Sequence, residues 1–345
     1  MRSILHARRR SVHLLVAAAV LLTAGAVPAA MASASTNTAS LSGLKVLITN
    51  DDSAQGHDTT YGTDGKGLYE LRKALCAAGA DVLVVAPWSQ QSGAGAGMTT
   101  PGFSPVPLTV QAVTPPAAYA SDCSGASAGG AVFAVCTGTG PCSSSTPSAT
   151  PADTVNIALS RFAKNYWTGG PDVVLSGVNF GENIGATLDH SGTVGAVVTA
   201  REYGVPALAF SAEVPHDLSL IPSVPLAKTS AYAVDLISSL VKQKKLSSGL
   251  VLNVNYPFIG AGEKLGKPVN TVAGTSDNLG LQFSGDVPRT GGTYQLSVGT
   301  PAAETRKNAD TTALAKDNIS ITTLDGDWTA PSNSGGLLGW LLSLL

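Results

Sequence analysis

The chain has 345 residues, of which 44% are hydrophobic, 13% charged and 6% aromatic, a length and composition that support a sizeable core and exclude an intrinsically disordered chain. Lysine and arginine together number 21 against 23 acidic residues, a net charge of −2, and no basic face is dense enough for duplex nucleic acid. The five histidines and four cysteines fall in no CxxC or HExxH spacing, which excludes the usual zinc enzymes.

Arg2, Arg8, Arg9 and Arg10 precede an apolar run from Val12 to Val27, and Ala32-Ser33-Ala34 gives a small-x-small cleavage pattern. These features predict a signal peptide over residues 1–34 and hence a secreted or extracytoplasmic protein, since the run is short for a membrane span. Cleavage after Ala34 removes four arginines and no acid, which leaves a net charge of −6 and the histidines His57, His190 and His216. Export permits disulfides, and the cysteine count is even. Cys123, Cys136 and Cys142 lie in a Ser/Gly/Pro-rich stretch where one local bridge is expected, while Cys76 reads as a buried thiol on a helix. Sequence alone does not choose among the possible pairings.

Residues 35–43 read as a polar leader. Lys45–Thr49 reads as a strand that ends in Asn50-Asp51-Asp52, and 53–66 as a polar loop. Leu68, Leu71 and Leu75 recur at helical spacing, and Gly79 closes that helix. Asp81–Ala86 is a buried-type strand stopped by Pro87, so the unit opens a parallel sheet. Residues 88–150 interrupt this rhythm with a Gly-rich turn, Pro-rich connections, a strand at Ala131–Val135 and the low-complexity stretch Thr139–Pro151. An excursion of that length is a functional loop or an insertion.

The α/β rhythm then resumes. Helices are predicted at Ala152–Lys164, Gly192–Tyr203 and Ala227–Lys242, and strands at Asp172–Leu175, Ala207–Phe210 and Leu250–Val254. Residues 260–330 carry β-like stretches at Tyr294–Val298 and Ile319–Thr323 and read as an extension of the core. The tail 331–345 is apolar but too short to span a bilayer, so no stable membrane span is expected after signal cleavage.

Three loops follow predicted parallel strands, where open α/β sheets bind ligands. Asp51 and Asp52 are adjacent carboxylates that repel each other, which implies a cation or a raised pKa. Ser89–Gly97 is Gly-rich but has the wrong spacing for a dinucleotide fingerprint. Ser176–Gly185, followed by Ser191-Gly192-Thr193, concentrates Asn, Gly, Ser and Thr before a helix, a composition suited to holding an anion. Oxygen donors without thiolate or imidazole suit Mg²⁺, Mn²⁺ or Ca²⁺. A hard cation beside an anion-binding helix start suggests metal-assisted phosphoester hydrolysis. Asp51 or Asp52 would orient or deprotonate the attacking water. His190, beside the loop, reads either as a proton donor to the leaving oxygen or as a surface histidine.

LITNDD at 47–52, VVAPWSQQSGAG at 84–95, PDVVLSGVNFGENIG at 171–185 and SGTVGAVVTAREYGVPALAFS at 191–211 resemble the SurE family of survival-protein nucleotidases. LNVNYP at 252–257 and DTTALAKDNISITTLDGDWT at 310–329 resemble its C-terminal half. The resemblance implies a Rossmann-like α/β fold over residues 44–330, a mostly parallel sheet flanked by helices. Its β-rich C-terminal extension, 260–330, often mediates dimerisation in the family, so a homodimer is expected. It also implies divalent-metal-dependent hydrolysis of nucleoside 5′- or 3′-monophosphates, with one cation per subunit. By motif position, Asp51, Asp52, Ser92 and Asn179 match the family's metal ligands, and Asp51 and Asp52 are the expected catalytic residues. Asn183, Ser191, Gly192 and Thr193 match positions near the substrate phosphate. Ser53 stands where the family usually has Gly, 53–66 is longer than usual, and 101–150 is unusually rich in Cys and Ser. Substrate preference is therefore open, and a broader acid phosphatase or polyphosphatase, or a nucleotide-binding module without turnover, are the alternatives.

Overall fold

The chain alternates strands and helices as β1 (Lys45–Thr49), α1 (Lys66–Ala77), β2 (Asp81–Pro87), β3 (Leu108–Ala112), β4 (Val132–Thr137), α2 (Pro151–Ser160), β5 (Val173–Phe180), α3 (Gly192–Glu202), β6 (Ala207–Ala212), α4 (Leu226–Lys242) and β7 (Val251–Tyr256). Short elements follow: β8 (Val269–Thr271), β9 (Leu281–Ser284), β10 (Gln295–Val298), α5 (Asp310–Leu314) and β11 (Ser320–Thr323). The computed structural model describes residues 40–55, 65–276, 279–326 and Leu342. The expected signal peptide, His57 and most of the apolar tail lie outside the described residues. No helix among the described residues is long and apolar enough to cross a membrane.

Nine strands form one sheet in the order β3-β4-β2-β1-β5-β6-β7-β11-β8. The run from β4 to β7 is parallel, as expected for strands joined by helical crossovers. β3 joins one edge antiparallel to β4, and β11 joins the other antiparallel to β7. Period-2 alternation sends Val46 and Ile48 to one face and Leu47 to the other. The first face meets Leu68, Leu71 and Leu75 of α1 with Ala233 and Ile237 of α4. The second meets Val155 and Ala158 of α2 with Val194, Val197 and Ala200 of α3. From β1 the chain builds outward through β2 and β4, then returns to build the other half through β5, β6 and β7. The switch point of the sheet therefore lies between β1 and β5, where ligands bind in folds of this kind.

Most predicted elements lie within a few residues of their expected bounds, and the departures have local causes. Thr150 and Asp153 form a reciprocal capping box that starts α2 at Pro151, and its end gives way to a 3₁₀ turn over Phe162–Asn165. β5 runs to Phe180, so Ser176–Phe180, expected as loop, is strand; its register against β6 shifts between Ser176 and Asn179. Within the stretch expected as a leader, 35–43, Leu41 is buried and its N–H donates to Ala78 O across 2.8 Å.

All four cysteines are paired. Cys136–Cys142 is the expected local bridge. Cys76, expected as a free buried thiol, is instead bonded to Cys123. The Arg72 side chain reinforces that junction, donating to the carbonyls of Gly130, Tyr119 and Asp122.

The C-terminal extension has two parts. β11 and β8 complete the main sheet, as expected of an extension of the core. β9 and β10 form a separate antiparallel hairpin on which Leu281 pairs with Val298 and Phe283 with Leu296, all four exposed.

Candidate active site

Parallel pairing of β1 with β5 brings the end of one strand beside the other, with Thr49 opposite Ser176. Asp51 and Asp52, which follow β1, are both buried. Asp52 is held from two further loops. Its Oδ2 accepts from the Phe180 N–H at the end of β5 (3.0 Å) and from Asn50 Nδ2 (3.0 Å), and its Oδ1 from Gln90 Nε2 (3.1 Å). The Gln90 carbonyl Oε1 in turn accepts the Ser92 N–H across 2.7 Å, and the Gln91 N–H donates to Asp51 O across 2.8 Å. The 89–92 turn is thus fastened to the aspartate pair through Gln90 and the backbone.

Asp51 faces the start of α3. Its Oδ1 accepts the Thr193 hydroxyl (2.6 Å) and its Oδ2 the Thr193 N–H (3.2 Å). The approach is possible because residue 192 is glycine, since a Cβ there would lie 2.9 Å from both Cβ and Oδ2 of Asp51. Burial pushes the Asp51 carboxyl above the usual carboxylate range, against the lowering effect of the Thr193 hydroxyl and the N–H groups of Thr193 and Gly192. Free N–H groups expected at this helix start are therefore engaged: the Thr193 N–H donates to Asp51, and the Val194 N–H donates to the Ser191 side chain, which caps the helix. The positive end of α3 is turned on the carboxylate.

Asn179, near the end of β5, is 7% exposed. Its Nδ2 donates to Gly181 O across 2.8 Å, while its Oδ1 is buried without a hydrogen-bond partner. The neighbouring residue, Phe180, donates its N–H to Asp52, so Asn179 lies at the strand end that holds that carboxylate. An unpartnered buried carbonyl oxygen costs free energy unless something else satisfies it. Two carboxylates with an amide oxygen form a hard-oxygen donor set of the kind that binds Mg²⁺, Mn²⁺ or Ca²⁺. The residues present therefore fit a divalent cation. No group of three or more His, Cys, Asp or Glu suited to a metal occurs among the described residues, so any cation here depends on the amide and hydroxyl donors.

Asn183 is held from below. Its N–H donates to Asn255 Oδ1 (2.7 Å), its carbonyl accepts from Asn253 Nδ2 (2.7 Å) and Asn255 Nδ2 (3.2 Å), and its Nδ2 donates to Ser211 Oγ (2.9 Å). Asn253 and Asn255 face the same side of β7, and their alternation inside LNVNYP is the signal by which sequence reading could have found them. Asn50 and Gln90 were likewise missed, because an amide that orients a carboxylate has no distinctive spacing.

The Gly95 N–H donates to His190 O across 3.1 Å, which brings the Gly-rich turn to the loop before α3. His190 and Ser92 are both exposed. The structure therefore gathers Asp51, Asp52, Asn179, Ser191, Gly192 and Thr193 at the switch point, brings the Ser92 backbone to it through Gln90, and anchors Asn183 on β6 and β7.

The family model described as survival protein SurE matches residues 46–277. A protein of Geobacter metallireducens named 5′-nucleotidase SurE is 31% identical over 300 residues, covering 86% of this chain and 97% of its own length. A protein of the same name from Desulfovibrio desulfuricans is 31% identical over 287 residues, covering 83% of this chain and 94% of its own length. The crystal structure of the SurE protein from Aquifex aeolicus superposes with a TM-score of 0.60 at 23% identity, over 86% of this chain and 99% of that one, a likeness of fold.

Proposed function

The chain belongs to the survival protein SurE family, and from that premise we propose that it is a 5′-nucleotidase, a divalent-metal-dependent phosphomonoesterase that releases phosphate from nucleoside monophosphates. The observation that carries this reading is the buried Asp51–Asp52 pair beside the unpartnered Asn179 Oδ1 at the switch point of the sheet. Asp51, Asp52 and Asn179, with the Ser92 hydroxyl, would hold one Mg²⁺, Mn²⁺ or Ca²⁺ per subunit. When bound, the cation supplies charge to offset the developing negative charge of phosphoryl transfer.

The chain's own residues do the remaining work. Gln90, Asn50 and the Phe180 N–H fix the Asp52 carboxylate, and Thr193 fixes Asp51, so neither rotates during reaction. One of the two carboxylates orients or accepts a proton from the attacking water. Asn183 and the Ser191-Gly192-Thr193 turn would flank the phosphate, while the positive end of α3 stays turned on the Asp51 carboxylate. His190 is exposed, as a surface histidine before a helix would be, and a proton-donating role toward the leaving oxygen is the alternative reading.

Export is supported by the N-terminal pattern and by two disulfides, which persist in oxidising compartments. A homodimer is supported by the exposed Leu281, Phe283, Leu296 and Val298 on one hairpin, an apolar face that association would cover. Sedimentation tests the dimer.

Phosphate release from nucleoside 5′- and 3′-monophosphates and polyphosphate, with and without EDTA, tests the function. Chelator-sensitive release from 5′-monophosphates is expected; release from polyphosphate alone, or tight nucleotide binding without turnover, would overturn it.

A further inference from the structure

The C-terminal extension does more than complete the sheet: we infer that Asp310 is a positioning residue that fixes the loop carrying Asn183, and this rests on the reading that Asn183 flanks the substrate phosphate. Asp310 opens α5 and is fully buried. Its Oδ1 accepts three backbone N–H groups, from Gly274 (2.8 Å), Thr311 (2.8 Å) and Gly185 (3.1 Å). The first two bonds tie the extension to itself. The third reaches across 125 positions of sequence into the active-site loop.

A second bond runs beside it. The Ala186 N–H donates to Ser276 O across 2.9 Å. Gly185 adopts φ +60°, and a Cβ on it would lie 2.1 Å from Ser276 O, so loop and extension meet with no room for a side chain. Glu304 makes the extension a firm base, since its carboxylate accepts from Thr275, Ser276, Thr305, Arg306 and Thr311. Asn253 and Asn255 hold the other end of the loop at Asn183. The loop is thus clamped from β7 on one side and from Asp310 and Ser276 on the other.

A buried carboxylate is a costly way to receive three N–H groups when its second oxygen finds no hydrogen-bond partner, as is true of Asp310 Oδ2. The side chain makes sense as the one acceptor that gathers three strands of chain, one of them catalytic. Its removal would free Gly185 and let Asn183 shift while Asp51, Asp52 and Asn179 keep their own bonds. The loss should therefore fall on substrate phosphate and spare the cation.

The test is steady-state phosphate release by wild type, Asp310→Ala and Asp310→Asn, together with Mn²⁺ activation and inorganic phosphate binding by calorimetry. Asp310→Ala should raise KM and weaken phosphate binding about tenfold, with kcat within about threefold and the Mn²⁺ requirement unchanged. Asp310→Asn keeps an Oδ1 acceptor and should restore KM. A variant with unchanged KM that loses only active protein, or an Asn variant as impaired as Ala, overturns the inference. If Asp310→Ala does not fold, Gly185→Ala opens the same joint from the loop side and must give the same KM effect. A wild type that releases no phosphate sinks the nucleotidase reading alone, because phosphate binding still compares the variants. Equal phosphate binding by wild type and variants, or none by wild type, overturns the positioning role.

Discussion

The Thr193 hydroxyl donates to Asp51 Oδ1 across 2.6 Å, so the residue that opens α3 is committed to the first aspartate of the pair. Motif position alone suggests that Thr193 serves substrate phosphate and leaves metal affinity untouched. The geometry adds a stronger demand: the carboxylate proposed as a metal ligand loses its orienting donor when that hydroxyl is deleted. Thr193→Val should weaken Mn²⁺ binding by about 10–100-fold, the range seen when an outer partner of a metal ligand is removed. Thr193→Ser should keep most of it. Separate Mn²⁺ and phosphate titrations check this, and unchanged Mn²⁺ affinity in the Val variant would return Thr193 to a phosphate role only.

Asp51→Asn and Asp52→Asn should each remove most phosphate release. Each side chain keeps its shape, but one charge is lost from a site built on two carboxylates and amides. EDTA should abolish wild-type activity and Mn²⁺ restore it. Either variant turning over normally, with chelator inert, would sink the metal mechanism.

The two disulfides should differ in weight. Cys76–Cys123 closes a span of 47 positions and Cys136–Cys142 one of 6. Chain-entropy arguments give about 4 kcal/mol for the long loop and about 2 kcal/mol for the short one. Replacing Cys76 and Cys123 together by Ser should therefore lower the denaturation midpoint more than replacing Cys136 and Cys142. The reverse order would mean that the unfolded chain is already ordered around residues 76–123.

The core elements were legible because their periodicity is strong. Leu68, Leu71 and Leu75 could only face one way on a helix, and the run at 81–86 is a doubly buried strand. β3 was missed although Leu108, Val110 and Ala112 alternate with Thr109 and Gln111, because the five residues are short, sit between prolines and only partly bury. β5 was cut short at Leu175 because Ser176 and Gly177 read as loop, yet the strand continues past its irregular register to deliver Asn179. At the candidate site, the positions of Asp51 and Asp52 after a strand and of the turn before α3 were legible. Those defined by long-range contact were not. Gln90 reaches Asp52 across 38 positions and Asp310 reaches Gly185 across 125, and sequence carries no local trace of either.

Glu213, just beyond β6, should give the protein a measurable pH dependence of stability. Burial pushes its carboxyl up to about 7, aided by the negative charges of Glu182, Asp317 and Glu263 and opposed by the Phe258 N–H, which donates to Oε2 across 2.8 Å. The folded state therefore holds this proton more tightly than the unfolded chain, whose value is 4.5. Linkage then fixes the sign: the stabilisation is full below about pH 4.5, declines as pH rises and is lost above about 7. Glu213→Gln keeps an acceptor for Phe258 and removes the ionisation. Its Tm should match wild type near pH 4.5 and exceed it at pH 8 by about 2 °C, corresponding to about 1 kcal/mol after allowance for partial exposure. Thermal unfolding of both proteins across that range checks it, and a Tm difference that stays constant with pH would show that Glu213 titrates normally in the fold.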